Sequence, residues 1–536
     1  MRWRPTTSKK SLSPGGAAKL LDLTPGGVRA LNPAKQIWPR KIAIEMSDTP
    51  MIVPTGVPSL DVILAGGIPD TQSVIVTGDP GTGKTILSSQ IAFAQARKGR
   101  RVVLATVTSE SHAKLIHELK GFSFFDRQLV GDEIFVVSAY PWLQKGPKDA
   151  KDALIKTVKE RKAKLLFIDG LRSIRDLWQD ESKMRDFLYE MNVALAVNGA
   201  IGLFTTEYPL EKLLDFPEAT TVDGIIALST KRLGERIVRR AQVAKLRGRP
   251  HLTGQHVMHI SVDGVAITPR LESITTPSQT FHPPEERLGF GLLELDKLLY
   301  GGIYRQTTTI VAGGTGIGKT ILSLYFVANG AQQNEKSLLV SLTEAPPRLV
   351  QRTKRIGLDL EPHVKSGNLV LKFLPALEAE ADDLAVRILQ WVSEVKAKRL
   401  VIDGLAHLEQ SLACYGERSR PFLLSLIARL REAEVTTLFV KEVNKIAGPE
   451  LDFSDLPISI LAENLILLRH VELHGRLHRI LSILKMHDSA SDPNLREFEI
   501  TAEGLRVLEP VQTAEGLLTG IARPVGTEAR EGFKTP

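Results

Sequence analysis

A chain of 536 residues is too long for one hydrophobic core and suits two or three domains of ordinary size. Its 43% hydrophobic and 24% charged residues are a globular balance, and no apolar run reaches the length of a membrane helix, about eighteen residues or more. The single cysteine, Cys414, excludes an internal disulfide and a cysteine-built metal site, which fits a reducing cytoplasm.

The net charge of +8 is unevenly placed. Residues 1–45 hold nine Lys/Arg against Asp22 and Glu45, a net of +7, which leaves +1 for everything from Met46 onward. The folded part therefore offers no overall charge argument for nucleic acid. Residues 1–45, rich in Gly, Pro and Ser, read as a basic disordered arm or a non-native N-terminal extension. Two similar halves follow, expected at 46–270 and 285–510, joined by a linker at 271–284 and followed by a flexible tail at 511–536. Thr55-Gly-Val-Pro-Ser-Leu-Asp61 returns as Phe290-Gly-Leu-Leu-Glu-Leu-Asp296, and Gly83-Lys-Thr-Ile-Leu-Ser88 returns unchanged as Gly318 to Ser323.

Each half alternates apolar strands with helical stretches, which predicts α/β units with a mainly parallel sheet. In the first, the sequence predicts strands at 73–77, 102–107, 164–168 and 201–205, with a helix over 84–98. In the second, strands are predicted at 308–312, 337–342, 399–402 and 437–440. Residues 225–246 and 465–485, rich in strand formers with Gly234 and Gly475 near the middle, predict a β-hairpin closing each half.

The chemistry is expected at the strand ends. Gly78-Asp79-Pro80-Gly81-Thr82-Gly83-Lys84-Thr85 and Gly313-Gly314-Thr315-Gly316-Ile317-Gly318-Lys319-Thr320 both fit the phosphate-binding loop G-x-x-x-x-G-K-[ST]. Glycines let the backbone curl so that several N–H groups meet one phosphate, the lysine neutralises the β/γ oxygens, and the threonine hydroxyl suits Mg²⁺. Asp169 and Asp403 end apolar strands 85 and 84 residues after those lysines, where a magnesium-organising carboxylate belongs. Gly170 and Gly404 follow them, so a catalytic base directly after the aspartate is missing. Glu110 and Glu344, 26 and 25 residues beyond the lysines, are the candidate bases for activating water.

The order of these motifs, with Gly66-Gly67-Ile68, Lys245-Leu-Arg-Gly248 and Arg496-Glu-Phe-Glu-Ile-Thr501, resembles the KaiC group of RecA-like ATPases over residues 50–520. The resemblance implies two tandem RecA-like P-loop NTPase domains, Mg²⁺ and ATP as cofactors, and a double-ring homo-hexamer that binds ATP between subunits and hydrolyses it slowly. It also implies a signalling protein partner, and a Ser/Thr autokinase activity of the kind found in the clock member. Four features depart from it. The paired glutamates of the clock member are reduced to Glu110 and Glu344, preceded by Ser109 and Thr343. The Lys-x-Arg pair that reaches across the subunit interface is intact as Lys245 and Arg247 but reads Lys485 and His487 in the second half. The Ser-Thr phosphorylation pair falls on Ser459-Ile460, leaving Ser459 as the one possible phosphoacceptor. The basic arm has no counterpart.

Eight Lys/Arg between Lys231 and Pro250 suit an interface hairpin facing a neighbour's phosphates better than a nucleic-acid groove, because no aromatic residue interrupts them. Three functions stay open: a signalling ATPase, a nucleotide-dependent scaffold with negligible turnover, and, least favoured, a DNA-acting recombinase or helicase.

Overall fold

The apolar strand segments assemble into two nine-stranded sheets in the computed structural model. It describes residues 51–107, 112–275, 284–375, 379–443, 462–473, 476–487, 489–510, 514–515 and 523–524. The arm, Glu110, Ser459 and most of the tail lie outside the described residues.

The first sheet is built from β1 (Ser73–Thr77), β2 (Val102–Thr106), β3 (Ile134–Ser138), β4 (Leu165–Asp169), β5 (Ile201–Thr206), β6 (Gly224–Leu233), β7 (Arg236–Leu246), β8 (His256–Ser261) and β9 (Gly264–Thr268). Their order across the sheet is β9-β8-β7-β6-β1-β5-β4-β2-β3. The six strands from β6 to β3 are parallel, and β7, β8 and β9 are added antiparallel. The second half repeats this order with β10 (Thr308–Gly313), β11 (Ser337–Ser341), β12 (Leu369–Phe373), β13 (Arg399–Asp403), β14 (Thr436–Glu442), β15 (Asn464–Leu473), β16 (Arg476–Met486), β17 (Arg496–Thr501) and β18 (Gly504–Pro510).

Parallel strands covered on both faces are apolar along most of their length, and these are, with polar residues such as Ser73, Thr77, Thr308 and Thr309 buried at or near their ends. Along β1, Val74 and Val76 enter one core while Ile75 enters the other. Along β10, Ile310 and Ala312 divide from Val311 in the same way. Alternation of period two thus places one continuous apolar run into two cores.

The predicted hairpin is present in each half as β6–β7 and β15–β16, and a second antiparallel hairpin, β8–β9 or β17–β18, extends the sheet beyond it. The linker does not begin at 271: Leu271–Ile274 is a short helix, and Leu271 is buried in the core of the second half. Its apolar side chain gains more from that core than a solvated linker would give it. Polar contacts join the halves beside it. Arg236 and Arg240 of β7 donate to Glu380 at 3.0 and 2.5 Å, and Tyr415 donates to the same carboxylate at 2.6 Å. Arg418 grips Glu272 through two bonds of 2.8 Å and Asp382 at 2.6 Å.

Candidate nucleotide-binding site

Each predicted loop leaves the central strand and enters a helix, Lys84–Ala96 (α1) or Lys319–Gln332 (α2). Gly83 and Gly318 precede those helices with φ of 102° and 115°, a left-handed conformation that favours glycine. A Cβ on either would lie 2.6 Å from the Cδ1 tip of Ile260 or Ile500, so the outer hairpins pack on the loops and a side chain there would have to displace that tip.

The lysines fold back onto their own loops. Lys84 Nζ donates to the Asp79 carbonyl at 2.9 Å and Lys319 Nζ to the Gly314 carbonyl at 2.7 Å. Burial lowers the pKa of both, while Glu207 and Asp169 oppose the shift at Lys84, and Glu442 and Asp403 at Lys319. Thr82 bonds the Asp79 carbonyl in the first loop; Ile317, at its place in the second, is fully buried.

Thr85 and Asp169, far apart in sequence, meet at 3.2 Å; Thr320 and Asp403 meet at 3.0 Å. Burial raises the pKa of both aspartates, against the hydroxyls that donate to them. Asp169 also accepts from Thr205 at 2.5 Å. The equivalent residue beside Asp403 is Val440, so that contact has no counterpart in the second half. A threonine hydroxyl and a buried carboxylate are hard oxygen donors, a set that fits Mg²⁺.

Glu344 lies near Asp403, whose pKa it pushes up, but ion pairs engage both its oxygens, with Arg348 at 3.2 Å and Arg352 at 2.8 Å. Three of the four expected interface residues, Lys245, Arg247 and Lys485, turn their side chains to their own chain. Lys245 Nζ donates to the carbonyls of Ala219, Thr220 and Val222 at 2.8, 3.2 and 2.6 Å. Arg247 joins it on Thr220 at 2.7 Å, at the end of the helix Pro217–Thr221 (α3). Lys485 Nζ donates to the Ala462 carbonyl at 2.7 Å, and the backbone N–H of His487 donates to the Glu463 carbonyl at 2.9 Å. Other cations of the basic run are also engaged internally, Arg232 with Glu235, Arg236 and Arg240 with Glu380, and Arg249 with the Ala65 carbonyl at 2.8 Å.

Two acids went unread in the sequence. Glu207 directly follows β5, and Glu442 ends β14; each of those strands lies between the loop strand and the aspartate strand. They are 235 residues apart, the same offset as the loop lysines, and that offset was the available signal. Glu442 accepts a hydrogen bond from the loop hydroxyl of Thr315.

The family model described as "ATPase: KaiC" matches this chain twice, at residues 53–272 and 289–512. Among curated proteins, the circadian clock oscillator protein KaiC 1 of Synechocystis sp. is 26% identical over 453 residues, 82% of this chain and 85% of that protein. The circadian clock protein KaiC3 of the same organism is 25% identical over 480 residues, 87% and 93% of the two chains. The circadian clock oscillator protein KaiC of Thermostichus vulcanus is 25% identical over 490 residues, 89% and 93%. No described helix is long and apolar enough to cross a membrane. With two matched domains, two sheets of one topology and two phosphate loops, this chain belongs to the KaiC ATPase family.

Proposed function

We propose that the protein binds ATP at both loops, hydrolyses it slowly as a homo-hexameric double ring, and signals its nucleotide state to a protein partner. The observation that carries this reading is the doubled set of loop lysine, loop threonine and strand-end aspartate, brought together in each half. In this reading the loop N–H groups and Lys84 or Lys319 hold the phosphates, and Thr85 with Asp169, or Thr320 with Asp403, would hold Mg²⁺. When bound, the ion supplies charge neutralisation on the phosphate oxygens. Glu110 and Glu344 are the acids assigned to the attacking water.

The test is nucleotide stoichiometry on the full chain with Mg-ATP. Lys84→Ala and Lys319→Ala each remove one point charge while leaving the backbone cradle, and each is expected to lose about half the bound nucleotide. Two nucleotides retained at unchanged affinity in Lys319→Ala would exclude the second loop as a site. The double ion pairing of Glu344 favours a second reading, a scaffold that assembles on ATP with negligible turnover. Phosphate release measured on the assembled protein separates the two.

A further inference from the structure

We infer that Arg352, helped by Arg348, restrains the water-activating acid of the second half: the two guanidiniums hold the Glu344 carboxylate in ion pairs and slow hydrolysis in that half alone. The inference rests on the hydrolase reading above, which assigns Glu344 to the attacking water, and adds a control on that acid.

The main chain places the acid first. Ser341 ends β11 in register with Asp403, and the Leu342 N–H donates to the Asp403 carbonyl at 2.9 Å. The Glu344 N–H donates to Ser341 Oγ at 2.9 Å, so its backbone is tied beside the aspartate strand. The helix that follows, Pro346–Lys354, then takes the side chain. Arg348 and Arg352 stand four residues apart, on one face of that helix. Arg348 Nε meets one Glu344 oxygen at 3.2 Å, and Arg352 Nη1 meets the other at 2.8 Å. The Arg348 side chain is 82% exposed and that of Arg352 42%, so the shorter pair is also the better sheltered from solvent. Arg352 is therefore the stronger of the two restraints.

These pairs lie within reach of the nucleotide site. Burial raises the pKa of Asp403, and among the cations that oppose the shift Arg352 ranks ahead of the loop lysine, Lys319. Glu344 acts on the same aspartate in the opposite sense. A carboxylate that takes a proton from water gives up the charge that both guanidiniums hold, so each pair adds to the cost of that transfer. The first half differs in sequence. Four and eight residues beyond Glu110 stand Lys114 and Glu118, an acid at the place of Arg352. The restraint belongs to the second half, and it acts separately from the replacement of the interface arginine by His487.

The experiment uses the full chain with Mg-ATP and carries Glu110→Gln throughout, to remove the acid assigned to the first half. It measures bound nucleotide per chain and steady-state phosphate release. Arg352→Gln is expected to bind nucleotide as its parent does and to raise release about two- to fivefold, the effect of losing one partly exposed ion pair. Arg352→Lys keeps the charge without the planar fork and is expected to fall between the two. Once Glu344→Gln is present, adding Arg352→Gln is expected to change nothing, because the partner is already gone. A packing role for Arg352 would not depend on Glu344 in this way. Release at or below the parent level in Arg352→Gln would overturn the restraint, and a fall in both release and bound nucleotide would make the guanidinium a phosphate contact instead. An equal rise in the Glu344→Gln background would overturn it too. Either failure leaves wild-type hydrolysis standing. Wild type and every variant binding ATP without releasing phosphate would bring down the hydrolase reading itself, and this inference with it.

Discussion

Asp169 and Asp403 carry opposing demands. Each is buried at the end of an apolar strand, and burial raises its pKa above the ordinary carboxylate range. A folded value above the unfolded one means that stability is fullest when the group is protonated, and is lost as pH rises through the folded value. Near neutral pH, each ionised aspartate is therefore a cost to the nucleotide-free fold. Asp169→Asn and Asp403→Asn should raise the melting temperature of the ligand-free protein at pH 8, by roughly 2–4 °C for about 1 kcal/mol, and the gain should shrink toward pH 4. The same variants should lose Mg²⁺-dependent nucleotide binding. A lower melting temperature at every pH would mean that the hydroxyls of Thr85, Thr205 and Thr320 need the charge more than burial opposes it. At this scale the lysines and aspartates were legible because each stands in a repeated motif. Glu207 and Glu442 were not, since a lone acid after a strand looks like many others until register sets it beside the loop.

Elements were legible where their patterns were long. The central strands are unbroken apolar runs, and their bounds in the fold differ from the expected ones by a residue or two. The outer pair β8–β9 was missed because His256 and His259 interrupt the apolar pattern of a strand whose Val257 and Met258 are nonetheless buried. The helix Leu271–Ile274 is too short to show a period, and only tertiary packing defines it. The contact between β7 and the helix Ala381–Val395 (α4) was equally invisible. Arg240 is 2% exposed and Glu380, which precedes α4, is 4% exposed, so this is a buried ion pair across the two halves. Removing one partner leaves the other charge buried without compensation. Glu380→Ala should thus destabilise the protein by about 3–5 kcal/mol, read as a lower denaturant midpoint. Replacing both, as Arg240→Met with Glu380→Leu, should recover most of that loss. An unchanged midpoint in Glu380→Ala would show that water reaches Arg240 and that the halves are not held there.

The whole molecule has two equivalent halves whose expected interface residues differ, and that difference ranks them. In the single chain Lys245 holds three carbonyls around the end of α3, while Arg247 holds one and remains 53% exposed. Lys245 thus has a structural use within its own chain, whereas Arg247 is the cleaner probe of a role across an interface. An arginine brings a fixed charge and a forked donor set to developing phosphate charge; a histidine in its place brings a titratable ring. A trans arginine can be worth about 10³ or more in related phosphoryl transfers, so most turnover is expected in the first half. Arg247→Ala should leave the melting temperature of the ligand-free chain within a degree or two. It should weaken ATP-dependent assembly and cut steady-state phosphate release at least about tenfold. His487→Arg should raise release by giving the second half the missing guanidinium. The measurements are mass with and without ATP and phosphate release on the same samples. Wild-type assembly and turnover in Arg247→Ala would reduce this residue to a cap on the carbonyl end of α3. The two halves would then have to be ranked by their bases alone.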